Sequence, residues 1–136
     1  MQERRLIATL QSLCERDIQF VVVGGLAAVL NGAPIHTYDI DLVCSRDPAN
    51  VERLLSFLQE VDNHPLDLLG TIGQGLSFSD LLPLSDEMAI GEGVSVRVLN
   101  LETLISIKER LGSEKDLAVL PILRQTLRES KKKDRV

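Results

Sequence analysis

The sequence has few of the residues that build metal clusters and disulfide frameworks. Among its 136 residues are two cysteines, Cys14 and Cys44, and two histidines, His36 and His64, with no CxxC and no Cys/His ligand spacing. That argues against a disulfide scaffold and a zinc site, and the two cysteines read as small buried hydrophobes. No apolar run approaches the roughly 20 residues that cross a bilayer. The opening MQERRLIATL mixes charge with amphipathic alternation and lacks the apolar block of a secretory signal. We therefore expect a cytoplasmic protein that does not engage a membrane. Repeats, low-complexity tracts and internal linkers are also missing. There is no excess of positive charge: the net charge is −5, which argues against a general nucleic-acid coat.

What is present is ordinary for a globular chain, at 44% apolar and 26% charged residues. A chain this long buries roughly two-thirds of its unfolded surface, enough for a core without covalent staples. We expect a single domain over 1–136. Its basic tail at about 128–136, RESKKKDRV, holds five basic and two acidic groups, so the body before it carries −8. The tail reads as a solvated terminus.

Hydrophobic periodicity gives most of the organisation. Leu6, Ile7, Leu10 and Leu13 have helical spacing. IQFVVV has the composition of a strand buried on both faces, and Gly24-Gly25 ends it. LAAVLN reads as a short helix closed by Gly32, and TYDIDLVC at 37–44 as a second strand. Asp47 and Pro48 open a helix to about Val61. Leu66–Leu69 is a third strand candidate, whereas the rest of 62–93 gives little signal. VSVRVL alternates as a strand, Asn100 caps the helix LETLISIKERL, and Gly112 closes it. A last helix starts at Lys115-Asp116, with Pro121 either kinking it or starting another. The order predicts a mixed α/β fold.

Chemistry concentrates at Asp39 and Asp41. Residues two apart on a strand share a face, with Cα atoms roughly 6.6 Å apart. Two close carboxylates repel unless a cation neutralises them, and Mg²⁺, which takes carboxylate oxygens plus substrate phosphate, suits that need. An acidic pair interrupting a strand of otherwise buried composition needs such an explanation, or a place at a strand end or exposed edge. The Gly24-Gly25 turn adds a second feature. Glycines between a strand and a helix let backbone N–H groups approach a phosphate, although a tight turn alone also accounts for them. Neither GxxxxGK[ST] nor GxGxxG occurs, so this is not a P-loop or a dinucleotide fingerprint.

The string VVVGGLAAVLNGAPIHTYDIDLV, with a glycine pair followed about a dozen residues later by Asp-x-Asp, resembles the nucleotidyltransferase superfamily. Its branch of minimal nucleotidyltransferases and AbiEii-type abortive-infection toxins is the most similar, and lincosamide nucleotidyltransferases share the opening. The convincing match covers 20–43. A weaker one covers 98–120, where VLNLETLISIKERLGSEKDLAVL resembles a Leu-x-x-x-Lys helix followed by a Lys-Asp turn. The resemblance implies a mixed sheet flanked by helices and Mg²⁺-dependent transfer of an NMP from an NTP such as ATP to an acceptor hydroxyl or phosphate, with Mn²⁺ as a substitute ion. It implies that Gly24, Gly25 and Thr37 hold the nucleotide and that Asp39 and Asp41 hold the metal. A third carboxylate is also expected; Asp67 is the candidate, with Asp62 behind it. Lys108 would contact phosphate or substrate, and Asp116 would be its neighbour at the site. Many relatives carry an arginine where this chain has Pro34-Ile35-His36. The acceptor stays open: protein, tRNA end, small molecule or nucleotide. The rival readings are a non-catalytic descendant that binds a nucleotide or a partner, such as an antitoxin or a second copy of the chain, and a structural α/β module.

Overall fold

The computed structural model describes residues 2–60, 66–91 and 93–134. Helix α1 (Gln2–Glu15) turns Leu6, Leu10 and Leu13 into the core. It ends where Ile18 N–H reaches back to the Leu13 carbonyl (3.2 Å), with Asp17 in left-handed backbone at φ 57°. That closure sends the chain directly into β1 (Phe20–Val23), all four residues of which are buried. Helix α2 (Gly24–Leu30) follows without a spacer; its first two residues are the glycines that the sequence suggested as a turn ahead of the helix.

The remaining elements are β2 (Ile40–Cys44), α3 (Pro48–Glu60), β3 (Leu66–Leu69), a short α4 (Phe78–Leu81) running into a 3₁₀ turn at Leu82–Leu84, β4 (Ser85–Gly91), β5 (Val94–Leu99), α5 (Leu101–Leu111) and α6 (Glu114–Asp134). The result is a mixed α/β fold: one five-stranded mixed sheet of order β3-β2-β1-β5-β4 with six α-helices among the described residues. β1 runs antiparallel to β2 and parallel to β5. β2 and β3 are parallel, and β4 and β5 antiparallel.

Two differences from the sequence expectation have physical causes. The second strand begins at Ile40, not Thr37, because its partner β1 ends at Val23, opposite Asp41, and turns away into α2. The chain from Thr37 to Asp39 has no ladder to join on that side. Helix α6 runs unbroken past Pro121 to Asp134, so the basic segment is helical as far as it is described. Pro121 is exposed, as is Leu117, whose carbonyl the proline ring leaves without its usual helical donor; water can reach both.

The core is aliphatic. Val21, Val22, Ile40, Leu42, Val43, Val98 and Leu99 fill the central strands, and Leu10, Leu13, Ala27, Phe57 and Leu123 close over them from helices. Among the described residues one polar side chain is fully enclosed: Asn50 on α3 accepts from Gln19 N–H (2.6 Å) and donates to the carbonyls of Gln19 (3.1 Å) and Ser45 (2.9 Å). Its hydrogen bonds join the start of α3 to the ends of β1 and β2, which is how a buried amide avoids an unmet desolvation cost. Cys14 and Cys44 are free and partly buried, and burial pushes both thiols up, Cys44 to about 11. The sequence reading made both small buried hydrophobes; the structure leaves each partly accessible, because Cys14 lies in the last turn of α1 and Cys44 ends β2. Among the described residues no helix is long and apolar enough to cross a membrane.

Candidate functional site

Strand register places the acidic residues. Val23 at the end of β1 faces Asp41 on β2, and Asp41 faces Asp67 on β3. In a parallel pair, directly matched residues point to the same face, so Asp41 and Asp67 stand side by side one strand spacing apart, about 4.8 Å. β1 passes into α2 at this same end. Its first residue, Gly24, has φ +66°, and a Cβ there would be built onto Asp41 Oδ2. Only glycine fits: the backbone is left-handed, and the space a side chain would need is taken by the carboxylate.

Gly25 is closely approached from the other side. A Cβ on it would lie 3.1 Å from Thr37 Oγ1, and the same hydroxyl donates to the Asp39 carbonyl at 3.2 Å. Gly24, Gly25, Thr37, Asp39, Asp41 and Asp67 thus share one corner. α2 opens there with no side chain capping its first N–H groups, because its N-cap residue is Val23.

The electrostatics of the corner are unbalanced. Asp41 is half-buried, while Asp39 and Asp67 are exposed. Burial pushes the Asp41 carboxyl up to about 6, reinforced by a hydrogen bond with Asp67 and by the negative charges of Asp67 and Asp39. Lys108 on α5 opposes the rise with its positive charge, so it too lies within electrostatic reach. Among the described residues no three His, Cys, Asp or Glu side chains form a ready-made metal cage. The acidic set is a close pair, Asp41 and Asp67, with Asp39 beside it on the strand's lead-in.

Lys108 pairs with Asp116, with Nζ 3.3 Å from Oδ1. The other Asp116 oxygen is also engaged: Ser113 Oγ donates to Oδ2 at 2.6 Å, and Asp116 N–H donates back to Ser113 Oγ at 3.1 Å. Ser113 directly precedes α6 and Asp116 is its third residue, so the serine hydroxyl accepts a first-turn N–H as an N-cap does, while the carboxylate also anchors a lysine. Hydrogen bonds from Ser113, then the Lys108 contact, hold the Asp116 carboxyl below its ordinary value. Ser113 did not enter the sequence reading, although Ser-x-x-Asp ahead of an apolar run is the signal for such a cap. Lys115 is exposed in the first turn of α6.

In the Pro34-Ile35-His36 loop, Pro34 and His36 are exposed and Ile35 packs against the core. Asp62 and His64 lie outside the described residues. Among the described residues, cavities away from the corner include one of about 350 Å³ between the 73–76 turn and α5, one of about 660 Å³ between the 31–34 turn and α6, and one of about 370 Å³ beside Cys14 and Arg97. Compared with protein families and with curated proteins, the chain matches neither a family nor an individual protein, so its functional reading rests on the residues of this corner.

Proposed function

We propose that the chain has a nucleotidyltransferase-like fold and that the Gly24–Asp41–Asp67 corner transfers an NMP from an NTP to a hydroxyl or phosphate acceptor with Mg²⁺. The observation that carries the reading is the contact itself: a left-handed glycine at a strand-to-helix turn, with a half-buried carboxylate pressed onto it and a second carboxylate in register. Such crowding costs stability unless a cation relieves it. Mg²⁺ commonly binds through one or two carboxylates and completes its shell with water and substrate phosphate. Asp41 and Asp67, with Asp39 adjacent, fit that demand without a closed cage. The bound ion supplies charge neutralisation on the transferring phosphoryl group.

The chain's own residues do the rest. The Gly24–Gly25 backbone lets the triphosphate approach the uncapped start of α2. Lys108, parked on Asp116, is a point charge for phosphate oxygens. Asp67, the more exposed of the pair, takes the proton of the attacking hydroxyl. The new O–P bond forms at the α-phosphate as the bond to the bridging oxygen breaks, and pyrophosphate leaves. Incubation with each α-labelled NTP, Mg²⁺ or Mn²⁺ and a cell extract tests the reading. A labelled acceptor seen with wild type and lost with Asp41→Asn supports it; no label from any NTP contradicts it.

One observation favours a second reading, a nucleotide- or partner-binding protein without turnover. Ile35 is apolar and packed away, so the loop offers no guanidinium to the phosphates. On that reading Mg²⁺ with an NTP raises the melting temperature while no product forms. The partner would then be an antitoxin protein or a second copy of the chain.

A further inference from the structure

Tyr38 is the single tyrosine of the chain, and it is 64% exposed. The three phenylalanines are committed elsewhere: Phe20 and Phe57 are buried, and Phe78 packs against the core. Tyr38 is therefore the aromatic ring that the chain leaves most open to solvent, and it sits at the corner just described. The Thr37 hydroxyl donates across Tyr38 to the Asp39 carbonyl at 3.2 Å, drawing the backbone in on both sides of it. Thr37 lies against Gly25, and the charge of Asp39 acts on Asp41. Tyr38 thus sits in the chain between a residue that touches the glycine turn and one whose charge acts on the carboxylate pair.

An exposed ring with an apolar body and a polar tip suits a flat ligand that stays partly wet. Tyr38 lies one residue from Thr37, which touches the glycine turn, so a nucleotide with its phosphates at that turn has this ring within reach of its base. Resting on the nucleotide reading above, we infer that Tyr38 is the stacking platform for the nucleobase. Stacking accepts any base because every base has a π-face. Base choice at this site is accordingly loose, with purines held more tightly than pyrimidines through their larger face.

The experiment is calorimetric. Binding of non-hydrolysable ATP and CTP analogues and of inorganic tripolyphosphate, each with Mg²⁺, is measured for wild type, Tyr38→Phe and Tyr38→Ala, with melting curves as a check on folding. Loss of a base–aromatic stack weakens the ATP analogue about tenfold in Tyr38→Ala, while Tyr38→Phe keeps binding within about twofold. Tripolyphosphate, which has no base, binds all three proteins equally. An unchanged ratio of ATP-analogue to tripolyphosphate affinity in Tyr38→Ala overturns the inference and leaves the nucleotide reading intact. Failure of wild type to bind either ligand overturns both.

Discussion

Asp41 and Asp116 are both half-buried aspartates near the ends of regular elements, and their surroundings act on them in opposite directions. Asp116 has a serine hydroxyl on one oxygen and a lysine on the other, and its carboxyl is held low. Asp41 has a glycine backbone pressed against it and two further carboxylates near it, and its carboxyl is pushed up to about 6. The first arrangement is complete as it stands, which is what a helix cap with an ion pair requires. The second sets like charges against one another, opposed only in part by the charge of Lys108. A fold under selection for stability alone has no reason to keep Asp41 against Asp67 when an asparagine could bridge the same gap. On the proposed function, the contrast separates a carboxylate that holds structure from one that binds the metal.

Activity gives the widest separation. Asp41→Asn should lower nucleotidyl transfer roughly 100-fold or more, as loss of a preorganised electrostatic contact commonly does. Asp116→Asn frees Lys108 without removing its charge. A partly exposed ion pair is worth at most about 1 kcal/mol, so transfer should fall by no more than about tenfold. Steady-state rates with labelled NTP measure both. Equal losses would erase the distinction between the two aspartates.

The next largest effect is on folding. Gly24→Ala puts a Cβ into left-handed backbone and onto Asp41, and should cost about 2 kcal/mol or more. Gly75 has a comparable φ of +83°, but nothing lies within 4 Å of its missing Cβ. Gly75→Ala should therefore cost only the backbone term, about 1 kcal/mol. Chemical denaturation of the two variants isolates the contribution of the carboxylate contact. Equal losses would mean that Asp41 yields without resistance.

The smallest effects carry opposite signs. The folded-state carboxyl of Asp41 is raised, so its cost to stability is present above about pH 6 and gone below the ordinary carboxylate value of about 4. Asp41→Asn should melt about 2–4 °C higher than wild type at pH 8, with the gain vanishing by about pH 4. Asp116 is lowered, so it stabilises above the ordinary carboxylate value and loses that contribution only as pH falls through its depressed one. Asp116→Asn should melt about 1–3 °C lower at pH 8, a difference that closes only in acid well below about pH 4. Melting curves across pH 3–8 read both. Curves of the same sign would contradict the electrostatic contrast.

Much of this was legible in the sequence where a local signal and a tertiary demand agree. Asn100 accepts from Thr103 N–H at 2.8 Å, and Gly112 closes α5 at φ 63°, as the capping residues implied. The buried run at β1 and the glycine pair were equally plain. The strand β4 was not. Its residues Asp86 and Glu87 are exposed, and it is an edge strand paired only with β5, so its composition carries no burial signal. The Gly91–Gly93 interval before a clear strand was the available clue to the hairpin. Asp39 was assigned to the strand because Asp-x-Asp alternates correctly, but sequence does not reveal that the partner strand ends opposite Asp41. The Asp41–Asp67 pairing depends on register between segments 26 residues apart, and no local pattern encodes that.

The central claim, that Asp41 is held in an unbalanced carboxylate pair that a divalent cation and a nucleotide complete, is tested most directly by following the Asp41 side-chain carboxyl carbon by NMR across pH. Without added ligand the account predicts a midpoint near 6. With Mg²⁺ and a non-hydrolysable NTP analogue it predicts a fall of at least about one unit, because the positive charge favours the ionised form. A midpoint near 4 without ligand, or one near 6 that saturating Mg²⁺ and analogue leave unmoved, would contradict it.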